Sequence, residues 1–194
     1  MTRKFGDMEI RTLTDDVVVL SPPRSADVDA ITEACRDPLI ARWTTVPSPY
    51  TRPDARHFVE DIVPAKWENG FPDWAIRSAA DGALCGMVGF VPRESADPEI
   101  GYWIAPAARR RSLATAAVRL ACGFAFAPDG LNVRRVAWRA FVGNRASAAV
   151  ARRVGFRYEG IVRNGLVQRG VPRDVWVAGL SADDPPGPVD GWPL

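Results

Sequence analysis

Three consecutive arginines stand where a strand pattern changes into a helix pattern. Residues 99–104 favour a strand and residues 111–126 carry apolar side chains at helical spacing. A helix start has unpaired amides and the positive end of the helix dipole, and arginine offers phosphate a planar set of donors. This junction therefore indicates a diphosphate site, with a solvated surface patch as the alternative. The candidate residues are Arg109, Arg110, Arg111, Ser112, Leu113, Ala114 and Thr115.

A second polar pattern opens the helix predicted over residues 144–154. Asn144 can cap this helix through its side chain, and Ser147 lies one turn further on, on the same side. Taken alone, this segment is explained better as a cap followed by an ordinary amphipathic helix. It becomes informative only beside the arginine segment.

The elements predicted around these segments alternate between strands and helices. Strands are expected at residues 17–20, 73–79, 83–91, 99–104, 133–141, 156–162 and 174–180, and helices at 25–35, 54–68, 111–126 and 144–154. Pro64 should kink the second helix, and a polar turn is expected around residues 95–98. Short turns between strands indicate an antiparallel sheet, and the strand, helix, strand passage over residues 99–141 indicates one parallel crossover.

Length and composition restrict the classes of protein to which the chain can belong. It has 194 residues, 47% hydrophobic and 25% charged, which fits one globular domain and excludes a wholly disordered or fibrous chain. The net charge of +2 gives no argument for a nucleic-acid or membrane partner. Three scattered cysteines and one histidine make a disulfide framework or a metal site improbable. With no secretory segment in sight, we expect a cytoplasmic protein.

Taken in order, several short motifs resemble the acyl-CoA N-acyltransferases of the GNAT superfamily, in particular the branch of the ribosomal-protein-alanine N-acetyltransferases. The motifs are Glu99-Ile100-Gly101-Tyr102-Trp103-Ile104, Arg109 to Thr115, Asn144-x-x-Ser147, Gly155-Phe156, and Glu159-Gly160 with Arg163. The resemblance covers roughly residues 15–180. Two positions depart from the family pattern, because Ser112 and Arg110 stand where glycine is usual or frequent. A serine can replace that glycine if the turn does not require a positive φ.

The resemblance implies a mixed α/β fold with a mostly antiparallel, splayed seven-stranded sheet flanked by about four helices. Residues 1–180 would form the domain, and the proline-rich residues 181–194 are expected to be a mobile tail. The sheet would splay between the strands at 99–104 and 133–141. The pantetheine arm of a coenzyme A thioester would insert there and pair like an added strand.

The resemblance also implies a donor and roles for individual residues. The donor would be acetyl-CoA or another acyl-CoA, with its diphosphate on the amides of residues 111–115. Glu99 is the candidate general base, acting through water, and Ser147 matches the position that protonates the departing sulfur. Tyr102 and Tyr158 are alternative proton donors. The expected contacts to the donor further include Trp103, the oxyanion-binding amide near Ile104, Asn144, Ser147 and Arg153.

The acceptor implied by the resemblance is a primary amine, either a protein N-terminus or a small molecule. Its pocket is expected to be lined by Trp43, Tyr50 and Trp74, with Trp67 as a further candidate and core packing as the alternative. His57 lacks a partner pattern and is not assigned a catalytic role. A rival donor is succinyl-CoA, and Arg153 or Arg163 would then pair with its free carboxylate. A catalytically silent acyl-CoA-binding module is the rival from another class, and a homodimer is possible.

Overall fold

The first half of the chain supplies one half of a sheet and a set of short helices. A computed structural model describes residues 9–93 and 97–194, so the turn expected around residues 95–98 lies partly outside the described residues. The elements are strands β1 (Leu13–Thr14), β2 (Val18–Ser21), β3 (Asp73–Ser78) and β4 (Leu84–Val91), and helices α1 (Val28–Cys35), α2 (Pro38–Trp43), α3 (Arg52–His57) and α4 (Val63–Glu68).

Local sequence explains why this helical region breaks into short pieces. Asp37 caps α2 by accepting from the amides of Leu39 and Ile40, and Pro38 occupies the first helical position. A π turn at Phe58–Ile62 joins α3 to α4, and Pro64 is the second residue of α4. The predicted helix at 54–68 is therefore found, with its interruption just before the proline.

The second half of the chain contains the remaining elements. These are β5 (Glu99–Ile104), α5 (Leu113–Phe126), β6 (Arg135–Phe141), α6 (Arg145–Val154), β7 (Arg157–Gln168) and β8 (Val171–Ser181). The described strands form one sheet in the order β1-β2-β3-β4-β5-β6-β8-β7. The mixed, mostly antiparallel fold is confirmed. The sheet has eight strands in the described residues rather than seven, because residues 13–14 add a short edge strand.

The sheet opens between its two central strands. Strands β5 and β6 are parallel and pair at Glu99 with Ala137 and at Ile100 with Trp138, the full extent of their ladder in the described chain. Beyond Ile100 the strands separate, while β5 stays paired with β4 along its whole length. The edge of β5 that faces the gap therefore offers backbone groups to an extended ligand.

Alternating side chains bury both faces of the sheet. On one face Trp74, Val88 and Ile100 pack with apolar residues of α5 and α6. On the other face Ala75 and Met87 pack with residues of α1 and α3. Because α5 and α6 both begin at the end of β5 and β6 where the sheet opens, their first turns border the gap.

The C-terminal segment, residues 181–194, for which the sequence predicts a mobile tail, is packed against the domain in the structure. Trp192 donates from Nε1 to the carbonyl oxygen of Phe156 at 3.1 Å. Its ring lies 5.3 Å from that of Trp138, between centroids. The prolines do prevent helix and strand, but they do not prevent an aromatic side chain further along from anchoring the segment.

The last two strands form a longer hairpin than the sequence indicates. Arg169 and Gly170 form its turn with φ values of 49° and 80°, as a type I′ turn requires. Next to the turn, Gln168 donates from Nε2 to the carbonyl oxygens of Ala41, Arg42 and Thr44. The hairpin tip is thereby fastened to the end of α2.

Candidate active site

Two cavities meet where the sheet opens. The large cavity, of about 780 Å³, lies along β5 and the first turns of α5 and α6. The small cavity, of about 280 Å³, lies between β4, β5 and β6 and reaches α4 and the hairpin of β7 and β8. Both cavities are lined by Trp43, Thr44, Tyr102, Trp103, Asn144 and Ser147. A group bound in one cavity can therefore contact a group bound in the other at these shared residues.

The predicted anion loop lines the large cavity along its whole length, from Arg109 to Thr115. Arg110 has a φ of 62° and Ser112 a φ of 59°, so both take the left-handed conformation that glycine adopts without cost. The turn does require a positive φ at Ser112, and the loop reaches it without glycine. An ordinary residue in this conformation costs about 1–2 kcal/mol.

The loop leaves amide groups at the start of α5. The amides of Thr115 and Ala116 donate to the carbonyl oxygen of Ser112 at 3.1 and 3.2 Å. The unpaired amides at the start of α5 therefore precede Thr115 in the chain. Thr115 lines the cavity, but its amide already donates to Ser112. It is therefore not available to a diphosphate, although the sequence pattern places it among the binding amides.

The arginines of the site divide into two groups. Arg109 donates from Nη2 to Asp37 Oδ1 at 2.7 Å, which ties the loop to the start of α2. Burial acts to raise the pKa of the Asp37 carboxyl, but the hydrogen bond from Arg109 and those from two backbone amides bring it below its usual value. Arg110, Arg111 and Arg153 line the cavity with exposed side chains. These three are the cations available to an anionic ligand.

Two hydroxyl groups lie at the junction of the cavities. Asn144 caps α6 by accepting from the amide of Ser147 at 3.2 Å, as its sequence position predicts. Ser147 Oγ donates to Tyr102 Oη at 3.0 Å, and Tyr102 Oη donates to the carbonyl oxygen of Ser147 at 2.9 Å. Burial raises the pKa of Tyr102, although hydrogen bonds from Ser147 and Trp138 oppose the shift. The phenol is therefore protonated at neutral pH.

Glu99 lies in the small cavity beside two arginines. Its Oε2 accepts from Arg139 Nε, and Arg93 Nε lies 3.8 Å away. Burial raises the pKa of Glu99 above its ordinary value, and the two guanidinium groups oppose the shift. The carboxyl group is thus buried and charge-compensated, a typical environment for a group that exchanges a proton.

A second carboxylate lines the same cavity and was missed from the sequence. Asp73 Oδ2 accepts from Lys66 Nζ at 2.5 Å. Burial raises the pKa of Asp73, with Lys66 acting against the shift. A Cβ atom at Gly89 would lie 1.6 Å from Asp73 Oδ1, so only glycine leaves room for this carboxylate. The sequence shows Asp73 only as the first residue of a strand.

Of the predicted acceptor aromatics, only Trp43 lines the cavities. Tyr50 is 6% exposed and packs with α1 and α3, whereas Trp74 is fully buried in the core under α5. Both assignments to the substrate pocket are therefore corrected, and Trp67 is likewise part of the core. The sequence could not separate them, because an aromatic residue in a core and one in a pocket have the same local pattern.

The other predicted residues lie away from the junction. Tyr158 packs against Trp192, with 5.6 Å between ring centroids, and lines neither cavity. Arg163 is exposed on β7, also outside both cavities. His57 is exposed and lies 2.8 Å from Asp61. Three residues that the sequence did not single out, Trp138, Arg139 and Leu166, do line the small cavity.

Some classes of site find no support in the described residues. Across residues 9–93 and 97–194, no cluster of three or more histidine, cysteine or acidic side chains is arranged to hold a metal ion. Within the same part of the chain, no helix combines the length and apolar character needed to cross a membrane.

Comparison with known proteins gives a consistent result. A family model described as "Acetyltransferase (GNAT) domain" matches residues 18–157. Over 121 residues the chain is 38% identical to "Putative ribosomal N-acetyltransferase YdaF" of Bacillus subtilis. That match covers 60% of this chain and 64% of the relative, so it spans slightly less than two thirds of the relative's length.

Solved structures of similar fold extend over most of the chain. A GCN5-related N-acetyltransferase from Brucella melitensis superposes with a TM-score of 0.72 at 26% identity, over 90% of this chain and 80% of that one. Mycobacterium smegmatis RimJ, solved in complex with CoA-disulfide, gives a TM-score of 0.75 at 22% identity, over 89% of this chain and 87% of that one. The second likeness concerns the fold alone.

Proposed function

The chain belongs to the GNAT acetyltransferase family, and on this premise we propose that it transfers an acetyl group from acetyl-CoA directly to a primary amine. The observation that carries the proposal is the meeting of two different cavities at Ser147 and Tyr102. The large cavity carries exposed cations and a helix start, whereas the carboxylates of the small cavity are each paired with a cation. An anionic donor would therefore be directed to the large cavity, which leaves the small cavity, beside the same two hydroxyl groups, for the acceptor.

The large cavity fits coenzyme A. Its loop has left-handed residues at Arg110 and Ser112, and the unpaired amides precede Thr115. Arg111 and Arg153 also line the cavity. The free edge of β5 over residues 101–104 suits an amide-containing arm. Arg109 would act indirectly, by holding the loop against Asp37. The name of the RimJ structure, which reports a CoA-disulfide complex, supports the same choice of donor.

Acetyl-CoA, when bound, supplies a thioester carbonyl and a thiolate leaving group. The amides of β5 near Ile104 would stabilise negative charge on the carbonyl oxygen, because they lie on the strand edge that is free of β6. Ser147 Oγ would give its proton to the sulfur, and the proton that the attacking nitrogen loses as the amide forms would restore the hydroxyl. Tyr102 Oη lies within hydrogen-bond distance of Ser147 Oγ and is the second candidate proton donor.

Glu99 would act on the acceptor amine in the small cavity. A primary amine is protonated at neutral pH, and it must lose a proton before it can attack. The ionised carboxyl of Glu99, held by Arg139, is placed to accept that proton directly or through one water. Asp73 is a second carboxylate in the same cavity, and its pair with Lys66 compensates its charge.

We take a polypeptide N-terminus as the first acceptor to test, because the name of the YdaF relative specifies a ribosomal N-acetyltransferase. A small-molecule amine is the alternative. Succinyl-CoA is the rival donor. Of the two arginines that would pair with its carboxylate, Arg163 lies outside both cavities, whereas Arg153 lines the large cavity with an exposed side chain. Arg153 therefore keeps this donor as an alternative.

The proposal is tested by following thiol release from acetyl-CoA and from succinyl-CoA. The acceptors would be peptides that begin with alanine, serine or methionine, together with spermidine as a small-molecule amine. We expect release with acetyl-CoA and an amine, and acetylated product by mass spectrometry. Preference for succinyl-CoA would replace the donor assignment. Binding of CoA without any thiol release would instead indicate a catalytically silent module.

A further inference from the structure

We infer that Trp138 is a positioning residue for the hydroxyl pair of Ser147 and Tyr102, and that the C-terminal segment braces it through Trp192. The inference rests on the proposed function, since the hydroxyl pair matters only if a proton is delivered at this junction. The bracing residue Trp192 lies beyond residue 157, outside the part of the chain that the family model matches.

Trp138 contacts both hydroxyl oxygens with one donor. Its Nε1 lies 3.2 Å from Ser147 Oγ and 3.2 Å from Tyr102 Oη. The indole is 1% exposed and lies in the centre of β6, paired with Ala178 of β8 and Ile100 of β5. The donor is therefore fixed by the sheet, whereas Ser147 belongs to a helix and Tyr102 to the opposite strand of the gap.

An indole N–H can donate but cannot accept a hydrogen bond. Both oxygens must therefore turn a lone pair toward Trp138, which leaves their own protons directed elsewhere. The same contact stabilises either oxygen after its proton has left, because a donor favours the charged form. Trp138 thus orients the hydroxyl groups and makes each a better proton donor.

Trp192 holds the indole in place from the side of the C-terminal segment. The two rings meet edge to face, with 5.3 Å between centroids and a 69° angle between planes. Trp192 is itself fixed by its hydrogen bond to Phe156 and by its contact with Tyr158. Arg152 of α6 also donates from Nε to the carbonyl oxygen of Val189 at 3.2 Å, so the segment is attached to the helix that carries Ser147.

The test replaces the donor while keeping the ring. Trp138→Phe should lower kcat roughly tenfold, the effect of one lost hydrogen bond, and leave the KM for acetyl-CoA within about twofold. The acceptor would be a peptide with an N-terminal alanine. In a Ser147→Ala, Tyr102→Phe background the same substitution should have no further effect on kcat, because both oxygens it serves are gone.

Trp74→Phe is the matched control. Trp74 is also fully buried and donates from its indole to a backbone carbonyl, that of Arg11, but it lines neither cavity. It should lower thermal stability without lowering kcat. Trp192→Ala should lower kcat severalfold and Trp192→Phe should restore it, which keeps the bracing claim testable if Trp138→Phe fails to fold.

Three results would overturn the inference. If the wild-type protein turns over and Trp138→Phe keeps the wild-type kcat, the positioning role is wrong while the proposed function stands. The same conclusion follows if the loss persists unchanged in the double-variant background, since it would then be a general structural effect. A wild-type protein that releases no thiol would refute the proposed function, and the inference would fall with it.

Discussion

Ser147 Oγ lies 3.0 Å from Tyr102 Oη, and this contact joins the first turn of α6 to strand β5 across the opening of the sheet. Both residues line both cavities. The contact therefore marks the place where donor and acceptor would meet, and it identifies two competing candidates for the proton donor. Comparing a variant that lacks the Ser147 hydroxyl with one that lacks the Tyr102 hydroxyl shows which group protonates the sulfur.

Ser147→Ala should lower kcat about 100-fold, a typical loss for a general acid, because Ser147 is the assigned donor to the sulfur. The affinity for CoA, measured by calorimetry, should change little, since Asn144 and the loop at residues 109–115 are untouched. Tyr102→Phe should have a smaller effect on kcat. The reverse order of the two losses would make Tyr102 the acid, and unchanged turnover in Ser147→Ala would remove Ser147 from the mechanism.

The loop at the start of α5 should become more stable with glycine. Ser112→Gly and Arg110→Gly should each raise the free energy of unfolding by about 0.5–1 kcal/mol, because both residues have a positive φ. Urea denaturation measures the change. Arg111→Gly is the control: Arg111 is not among the described residues with positive φ, so glycine there should only lower stability. Equal effects at all three positions would contradict the loop conformation.

Much of the fold follows from local patterns in the sequence. The strand at residues 99–104 and the helices that follow it are found close to their predicted positions, because apolar spacing and turn residues decide them. The packing contacts of residues 181–194 and the length of the hairpin at residues 157–181 were not predicted, for a different reason. Trp192 and Gln168 are anchored by residues far away in the chain, Phe156 and the end of α2, and no local pattern encodes such contacts.

The site residues divide in the same way, into those with a local sequence pattern and those defined by contacts between distant parts of the chain. Residues 109–115 and Asn144 could be proposed from the sequence because helix starts have recognisable chemistry, and they do line the large cavity. Arg139 and Asp73 were missed because they become partners of Glu99 and Lys66 only after the strands are placed side by side. Trp74 and Tyr50 were assigned to the pocket because the sequence does not show which face of an element points to the core.

Reversing the charge of Arg111 should weaken CoA binding. Arg111→Glu should raise the Kd of CoA roughly tenfold, because it places a carboxylate beside the expected diphosphate. The difference should shrink as salt is raised. Arg56→Glu makes the same charge change at an exposed residue of α3 outside both cavities and should leave the Kd unchanged. Equal Kd values for wild type and Arg111→Glu would place the diphosphate elsewhere.

The rate should fall in acid as Glu99 takes up a proton. Burial raises the pKa of Glu99 above 4.5, so its ionised, active form is lost as pH falls through that raised value. Arg139→Ala removes a charge that opposes the shift and should move the acid limb of kcat/KM to higher pH. Arg135→Ala is the control, because Arg135 lies on the same strand but pairs with Asp97 and Glu159.

Replacing Glu99 itself is a separate test of the general base. Glu99→Gln should lower kcat/KM about 100-fold and abolish the acid limb that Glu99 sets. An acid limb that stays in place in Glu99→Gln would assign the base to another group, with Asp73 as the next candidate in the small cavity.

The proposed acetyl transfer is tested by the stoichiometry of a single reaction. Acetyl-CoA and a peptide with an N-terminal alanine are incubated with the protein, and free thiol and acetylated peptide are measured together. Saturation in both substrates, with one acetylated amine for each thiol released, is the predicted result. Measurable CoA binding with no acetylated product from this peptide or from the wider set of amines would contradict the central claim.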